Sequence, residues 1–262
     1  ASSKIGIDLD YIPASSFERL QQAAPQARFV NTTEDISKIR VLKTPEEVSL
    51  LENAAKQTHR AVLDAMQNSK LGDTERDMAD KIANGIISNG ADGTLFLCFA
   101  SGDRTPQPHA YATERQPKAG DIIRFDVGGT YGAWASDFAR TYSAGSPTAA
   151  QRDTYSKLWE VHSATINMVK PGVIAEDVFF FCRDQFAKHG LPFGMPHIGH
   201  SFGLELHENP MMRPGDKTER EMLPAEAQDQ AKRKAEIDAA IARGQALAAA
   251  IGKQKARGTG GG

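Results

Sequence analysis

Two aspartates, Asp126 and Asp137, stand eleven positions apart, and each adjoins a run of apolar residues typical of a strand. A turn at Gly128, Gly129 and Gly132 between the two strands would bring both carboxylates close together. Carboxylate oxygens combined with imidazole nitrogens suit Mn, Co, Zn or Fe ions, and carboxylates can bridge two ions about 3.5–4 Å apart. The spacing therefore favours a divalent-cation site, although an isolated acid is more often a helix cap or an ion-pair partner.

Histidines that could complete such a site occur in two further segments. The segment from His200 to Glu208 reads His-Ser-Phe-Gly-Leu-Glu-Leu-His-Glu, which places His200 and His207 seven positions apart. On an extended or looped backbone both imidazoles can point into one cavity from different depths. His109 follows two prolines on a stiff loop that suits an imidazole held over a substrate. His197 is an evenly balanced candidate, because a lone histidine is most often a hydrogen-bonded core or surface residue.

Three segments resemble the aminopeptidase P, prolidase and creatinase family, the pita-bread metallopeptidases. They are residues 101–110, which read Ser-Gly-Asp-Arg-Thr-Pro-Gln-Pro-His-Ala, residues 120–141, and residues 199–210. They occur in the family's order, and the resemblance extends from about Lys4 to about Pro224. It implies a metal-dependent hydrolase similar to Xaa-Pro aminopeptidase and Xaa-Pro dipeptidase. Such an enzyme cleaves the amide bond that precedes proline in short peptides with a metal-activated water.

The resemblance also implies roles for individual residues. Asp126 and Asp137 would be metal ligands, with Asp137 bridging two ions, and His200 would be the third ligand. His109 and His207 would be the catalytic histidines that bind the substrate and serve the proton transfers at the scissile amide. The implied cofactor is a divalent metal, in the first place Mn and alternatively Co, Zn or Fe, and two ions are expected for the family.

Two residues near these positions are expected to hold the metal ligands and catalytic histidines in place. Glu208 would orient His207, as carboxylates commonly orient functional histidines. Arg140 would pair with a carboxylate of the site and hold the neighbourhood of Asp137 in place.

The family pattern continues after the histidine segment with two further glutamate ligands on later strands. In this chain the nearest acids are Glu219, Glu221 and Glu226, and no apolar strand follows Pro224. The chain therefore offers three of the five ligands that the resemblance implies. Two alternatives stay open: a catalytically impaired or silent truncated member that acts as a binding module, and a creatinase-like small-molecule amidinohydrolase.

Apolar periodicity predicts an alternation of helices and strands. Thr44, Pro45 and Glu47 form the signature of a capped helix start, and Thr74 opens a second helix. The predicted helices cover residues 45–68, 151–169 and 175–189, and the predicted strands cover residues 94–100, 121–128 and 133–143. The order helix, helix, strands, followed by helix, helix, strand, is a duplicated pattern. It predicts an α+β fold with helices covering a curved antiparallel sheet, which by resemblance is the pita-bread fold, incomplete at its C-terminal end.

We divide the chain into three parts. Residues 1–40 read as a strand–helix–strand unit and are expected to be a remnant of a creatinase-type N-terminal domain. Residues 41–224 would form a truncated pita-bread catalytic domain. Residues 225–262 are rich in Ala, Gln and Lys and end in glycines, which predicts a polar helical tail with a flexible end.

Composition excludes several classes of partner. The chain has 262 residues, of which 31 are basic and 33 acidic, and this balance favours neither nucleic acid nor an anionic membrane. Its longest apolar stretches fall far below the roughly 20 residues that a membrane helix needs. Cys98 and Cys182 lie in apolar runs, which favours buried free thiols and a cytoplasmic protein. The remaining expected partners are a small peptide substrate and, by resemblance, a second copy in a homodimer.

Overall fold

A computed structural model describes residues 3–218. The chain begins with two parallel strands, β1 (Lys4–Ile7) and β2 (Arg28–Asn31), joined by helix α1 (Ala14–Ala23). This is the predicted strand–helix–strand unit. Helix α2 (Thr33–Val41) follows and was not predicted, because its apolar residues form only a weak stripe. Its charges suit a helix nonetheless, since acids occupy the first turn and bases the last.

Helices α3 (Pro45–Gln67) and α4 (Glu75–Ser88) begin where the sequence predicts. The Thr44 hydroxyl accepts a hydrogen bond from the Glu47 amide at 3.3 Å, and the Glu47 carboxylate accepts one from the Thr44 amide at 2.7 Å. This capping box satisfies amides that the first turn of a helix otherwise leaves unpaired. The capping box therefore fixes the start of α3 and restrains the backbone just before it.

A four-stranded antiparallel sheet lies at the centre of the described chain. Its middle strand β4 (Ile122–Tyr131) pairs with β3 (Gly93–Ser101) on one edge, and with β5 (Trp134–Ala135) and β6 (Phe138–Ser143) on the other. The strand predicted over residues 133–143 is thus divided in two by the pair Ser136 and Asp137.

The two faces of this sheet have different roles because successive side chains alternate between them. On one face, the buried side chains of Phe125 and Val127 pack with those of α3 and α4, including Val62, Ile82 and Ile86. Asp126 lies between Phe125 and Val127 and therefore projects from the other face. Helices α3 and α4 thus cover one face of the sheet, and Asp126 lies on the other face.

Two of the glycines predicted to form the turn after Asp126 lie inside the strand instead. β4 continues to Tyr131, and the chain reverses at Gly132 and Ala133, whose φ angles are 57° and 72°. Gly128 is needed for a different reason: a Cβ there would stand 2.2 Å from the Ser136 carbonyl oxygen. The strand and the Asp137 segment come so close at this point that only glycine fits.

Substitution of Gly128 by Ala should lower the free energy of unfolding by about 1–3 kcal/mol, the usual effect of overpacking a tight interior. Chemical denaturation measures this directly. Gly93→Ala is the matched control, because no atom of the described part of the chain lies within 4 Å of a Cβ at Gly93. Equal stability of the two variants would contradict the close approach described for Gly128.

The second half of the chain repeats the order of the first. Helices α5 (Ala149–Met168) and α6 (Ala175–Lys188) pack together, and the short antiparallel strands β7 (His200–Ser201) and β8 (Glu208–Met211) follow. The predicted helix–helix–strand repeat is confirmed. The predictions that concern Glu219, Glu221, Glu226 and the tail of residues 225–262 lie outside the described residues.

Two predictions from composition can be compared with the structure. Cys98 and Cys182 are buried free thiols, as predicted. None of the helices within residues 3–218 is long and apolar enough to cross a membrane.

Candidate metal centre

The two aspartates meet, although they come from different parts of the sheet. Asp126 projects from the middle of β4, and Asp137 lies in the link between β5 and β6. Their side chains are within hydrogen-bonding reach of each other. Oδ1 of Asp126 is buried and, among residues 3–218, has no hydrogen-bond partner. A buried acceptor without a partner is costly and rare, so this oxygen is suited to a cation.

His200 on β7 approaches the same pair from the second half of the chain. Its Nε2 lies 3.4 Å from Oδ2 of Asp137, and its Nδ1 lies 3.0 Å from the carbonyl oxygen of Ser201. Donation from Nδ1–H to this carbonyl fixes the ring, as in metal-binding histidines. His200 thus directs its Nε2 towards Asp137.

The electrostatics of the pair also favour a cation. Burial raises the pKa of Asp137, the negative charge of Asp126 raises it further, and His200 lowers it. Two carboxylates in contact repel each other when both are ionised, and a divalent ion between them removes that repulsion. Among residues 3–218 the donors meet in pairs through Asp137, not as a ready-made group of three. Two carboxylates and one imidazole nevertheless form a donor set that fits Mn, Co, Zn or Fe.

Three further imidazoles surround this group. The rings of His200 and His207 have centroids 4.3 Å apart, and those of His197 and His200 are 6.1 Å apart. Desolvation lowers the pKa of His207, the neighbouring His200, His197 and His109 lower it further, and Asp126 raises it. The lowered pKa favours the neutral His207 ring, in which one nitrogen donates and the other accepts. The structure thus places His207 and His197 beside His200, and His109 near His207.

Arg124 supports the His109 loop and was missed by sequence reasoning. Its Nη2 donates to the carbonyl oxygens of Gln107 at 2.7 Å and Pro108 at 2.6 Å, immediately before His109. Arg124 precedes Asp126 by two positions on β4, so both side chains project from the same face. The signal was present in the sequence, because an arginine inside an apolar strand needs a specific partner.

Replacement of Arg124 by Met should free the backbone just before His109, so we expect the His109 ring signal to shift or broaden in two-dimensional NMR of the chain with labelled histidine rings. The His200 signal should stay unchanged, because Arg124 bonds the loop that carries His109. The control is Arg183→Met on α6, where the side chain is 49% exposed and contacts its helix neighbours Asp184 and Phe180. An unchanged His109 signal in Arg124→Met would show that Arg124 does not position His109.

Arg140 does not take the position expected for it. In the register of β4 and β6 it stands opposite Phe125, whereas Asp126 stands opposite Ala139, so Arg140 emerges from the face remote from Asp126. Its guanidinium carbon lies 3.8 Å from the centre of the Phe138 ring, and Nη1 donates to its neighbouring carbonyl at 2.6 Å. Strand alternation thus separates Arg140 from the carboxylates, and the expected ion pair is replaced by this stacking.

Glu208 is close to the site, but it does not point at His207 as expected. Its carboxylate accepts hydrogen bonds from Lys43 at 2.7 Å and from Arg40. Both cationic partners precede α3. Lys43 and Arg40, and not His207, are thus the partners of the Glu208 carboxylate at the start of β8.

Comparison with known proteins places the chain in a family. The model of metallopeptidase family M24 matches residues 49–227, and the model of the Creatinase/Prolidase N-terminal domain matches residues 1–42. The first match alone covers more than half of the chain. The chain therefore belongs to metallopeptidase family M24.

Individual relatives and solved structures agree with this assignment. The chain is 31% identical over 206 residues to the Xaa-Pro dipeptidase of Pyrococcus furiosus, which covers 78% of this chain and 59% of the relative. It matches the crystal structure of X-Pro aminopeptidase from Thermotoga maritima with a TM-score of 0.79 and 26% identity, over 84% of this chain and 63% of that one. The prolidase of Pyrococcus horikoshii gives a TM-score of 0.76 at 29% identity, over 83% and 63%. The predicted pita-bread fold is confirmed, and the chain spans about three fifths of the length of these proteins.

Proposed function

We propose that this chain carries the centre of a metal-dependent peptidase that cleaves the amide bond before proline in short peptides. The observation that carries the proposal is that Asp126 on β4 and His200 on β7 each meet Asp137, in the link between β5 and β6. Its relatives, the Xaa-Pro dipeptidase of Pyrococcus furiosus and the X-Pro aminopeptidase of Thermotoga maritima, suggest the substrate class.

Asp126, Asp137 and His200 are the residues that would hold the metal, and Mn is the ion we propose first. When bound, a divalent ion supplies Lewis-acid polarisation of the scissile carbonyl and an activated water. The carboxylates contribute negative charge, and Nδ1 of His200 is already committed to the Ser201 carbonyl, which fixes its ring.

His207 and His109 are proposed to act on the substrate. A neutral His207 can donate a hydrogen bond to the carbonyl oxygen where negative charge develops. The same ring can pass a proton to the leaving nitrogen, which is the amine of proline. His109 is exposed on its loop and lies near His207, so it can contact a bound peptide.

A binding module that holds metal or peptide without turnover is the second candidate. It is favoured by one observation, the meeting of the donors in pairs among the described residues. With a single weakly held ion, peptide would bind but remain intact.

We further propose that the chain divides into three parts, residues 1–40, 41–224 and 225–262.

The test uses the purified chain with added Mn²⁺ and a matched set of dipeptides Xaa-Pro and Xaa-Ala, together with tripeptides Xaa-Pro-Yaa. We expect metal-dependent release of the Xaa amino acid from the proline peptides, and its loss when the metal is chelated. Tight Mn²⁺ binding without hydrolysis of any peptide would contradict the peptidase and favour the binding module. Equal rates on Xaa-Pro and Xaa-Ala would contradict the specificity for proline.

A further inference from the structure

The carboxylate of Glu208, directly after His207, lies at the centre of a buried cluster of charges. Its side chain is 7% exposed and accepts hydrogen bonds from Lys43 at 2.7 Å, from Arg40, and from the Glu205 amide at 3.2 Å. Burial would raise the pKa of Glu208, but the hydrogen bond and charge of Lys43, with the charge of Arg40, outweigh it and lower the pKa. Glu208 is therefore an ionised group held inside the protein by two cations.

Lys43 contacts both ends of the loop that carries the histidines. Its Nζ lies 3.3 Å from the Ser201 hydroxyl, next to His200, and 2.7 Å from the Glu208 carboxylate, next to His207. The Lys43 side chain is itself only 11% exposed. One ammonium group thus joins two points of the chain that are separated by the whole of the loop 201–208.

The two cationic residues, Lys43 and Arg40, lie at the junction of helices α2 and α3. Lys43 immediately precedes Thr44, the capped start of α3, and its Nζ also donates to the Arg40 carbonyl at 2.7 Å. Arg40 belongs to the last turn of α2 and contacts Glu205 at 2.5 Å as well as Glu208. The cluster therefore connects the N-terminal unit with the loop.

The same loop is attached to the sheet that carries the aspartates. Gly203 lies against Glu208 so closely that a Cβ there would stand 3.0 Å from both carboxylate oxygens. Its carbonyl oxygen accepts a hydrogen bond at 2.7 Å from the amide of Ala135, two positions before Asp137. A continuous series of contacts therefore joins Lys43 to Glu208, Glu208 to Gly203, and Gly203 to the segment that carries Asp137.

We propose that Lys43, assisted by Arg40, is a positioning residue that fixes the loop 201–208 and thereby sets the His200 and His207 imidazoles against Asp137. This inference rests on the proposed function only for its catalytic consequence. Lys43 contacts neither metal nor substrate and acts through Ser201 and Glu208. Loss of Lys43 would leave the buried Glu208 carboxylate with Arg40 but with less compensating charge, and it would break the contact with Ser201. We therefore expect the loop to rearrange when Lys43 is lost.

The test compares Lys43→Met, which keeps the aliphatic stem, with Lys43→Arg, which restores a cation. The control is Lys56→Met on α3, where the side chain is 69% exposed and pairs with Glu52 at 3.4 Å. The first readout needs no metal: two-dimensional NMR of the chain with labelled histidine rings. We expect Lys43→Met to shift or broaden the His200 and His207 ring signals and to spare that of His189 on the far helix pair.

The second readout is Mn²⁺ affinity by calorimetry. We expect Lys43→Met to weaken it about 10–100-fold, as loss of a group supporting a ligand does, with partial recovery in Lys43→Arg and no change in Lys56→Met. Unchanged histidine signals and unchanged affinity in Lys43→Met would overturn the inference. Should Lys43→Met fail to fold, Glu208→Gln takes its place with the same expectations.

Peptide hydrolysis separates this inference from the proposed function. A native chain that binds Mn²⁺ but cleaves no peptide, together with the expected changes in Lys43→Met, would contradict the peptidase and leave the positioning role intact. A native chain that cleaves Xaa-Pro peptides, together with a Lys43→Met variant that matches it in signals, affinity and rate, would refute the positioning role alone.

Discussion

Asp137→Asn should lower the metal-dependent kcat/KM by at least about 1,000-fold, because loss of a group that merely supports a ligand already costs about 10–100-fold. Asp137 is the residue that both Asp126 and His200 meet, so its removal separates the donor set. Calorimetric titration with Mn²⁺ should show the same loss of binding. The asparagine has nearly the same shape, so the effect reports charge and not packing.

The same substitution should stabilise the metal-free protein. A neutral amide beside Asp126 removes the repulsion of two carboxylates, so we expect a thermal midpoint raised by about 2–4 °C in the presence of chelator. Asp153→Asn on α5 is the control, since Asp153 is 63% exposed and pairs only with Lys157. If Asp137→Asn kept native Mn²⁺ affinity, Asp137 would not be a ligand.

Glu75→Ala is expected to produce the largest loss of stability, about 3–5 kcal/mol, the usual effect of breaking a buried charged network. Glu75 is fully buried at the start of α4. Its carboxylate accepts hydrogen bonds from the amide and hydroxyl of Ser101 at 2.8 and 2.7 Å and from those of Thr113 at 3.0 and 2.7 Å. It also pairs with Arg104, so α4, β3 and the loop after His109 all depend on it.

Urea unfolding measures this effect, and Glu114→Ala is its matched control. Glu114 adjoins Thr113 but is 77% exposed and pairs with the exposed Arg76. Exposed pairs of this kind contribute about 0–1 kcal/mol. If Glu75→Ala were as stable as Glu114→Ala, the hydrogen-bond network of Glu75 would not contribute to the stability of the fold.

The pH dependence of stability gives a separate test of Glu75. Burial raises its pKa, but the hydrogen bonds from Ser101 and Thr113 outweigh burial and hold the pKa below its ordinary value of 4.5. A lowered pKa in the folded state contributes stability that is fully present above 4.5 and is lost as pH falls through the lowered value. The native protein should therefore lose stability below pH 4.5 more steeply than Glu75→Gln. Parallel pH profiles would contradict a lowered pKa.

The elements with strong local signals were predictable from the sequence. The helix start at Thr44 follows from residues that cap the first turn by local hydrogen bonds, and the structure contains that capping box. The order of helices and strands was likewise readable, since their apolar faces pack against one core. Helix α2 was missed because its side chains make their important contacts with Glu205 and Glu208, far away in the chain.

The candidate site was predictable in its donors but not in its supports. Asp126, Asp137 and His200 were found from residue type and spacing, together with a family resemblance. Gly128 was assigned to a turn because glycine is common there, whereas the closeness of the Ser136 carbonyl is a tertiary fact. Arg140 was expected to pair with a carboxylate of the site, but strand alternation and the register of β4 with β6 place it opposite Phe125, on the face remote from Asp126.

The contacts that support the loop 201–208 could not be predicted from the sequence either. Lys43 and Glu208 are 165 positions apart, and nothing in either local sequence indicates that they meet. Charge alone allows many pairings on a surface, while burial of both partners selects this one. Such pairs become visible only when the fold has placed α2 beside β8.

The most direct test of the central claim is the position of a bound ion in crystals of the protein grown with Mn²⁺, located by anomalous diffraction. We predict a peak about 2.2 Å from carboxylate oxygens of both Asp126 and Asp137 and from Nε2 of His200, a usual length for such bonds. A peak at any other place in the molecule, with the Asp126 carboxylate making no bond to metal, would contradict the account.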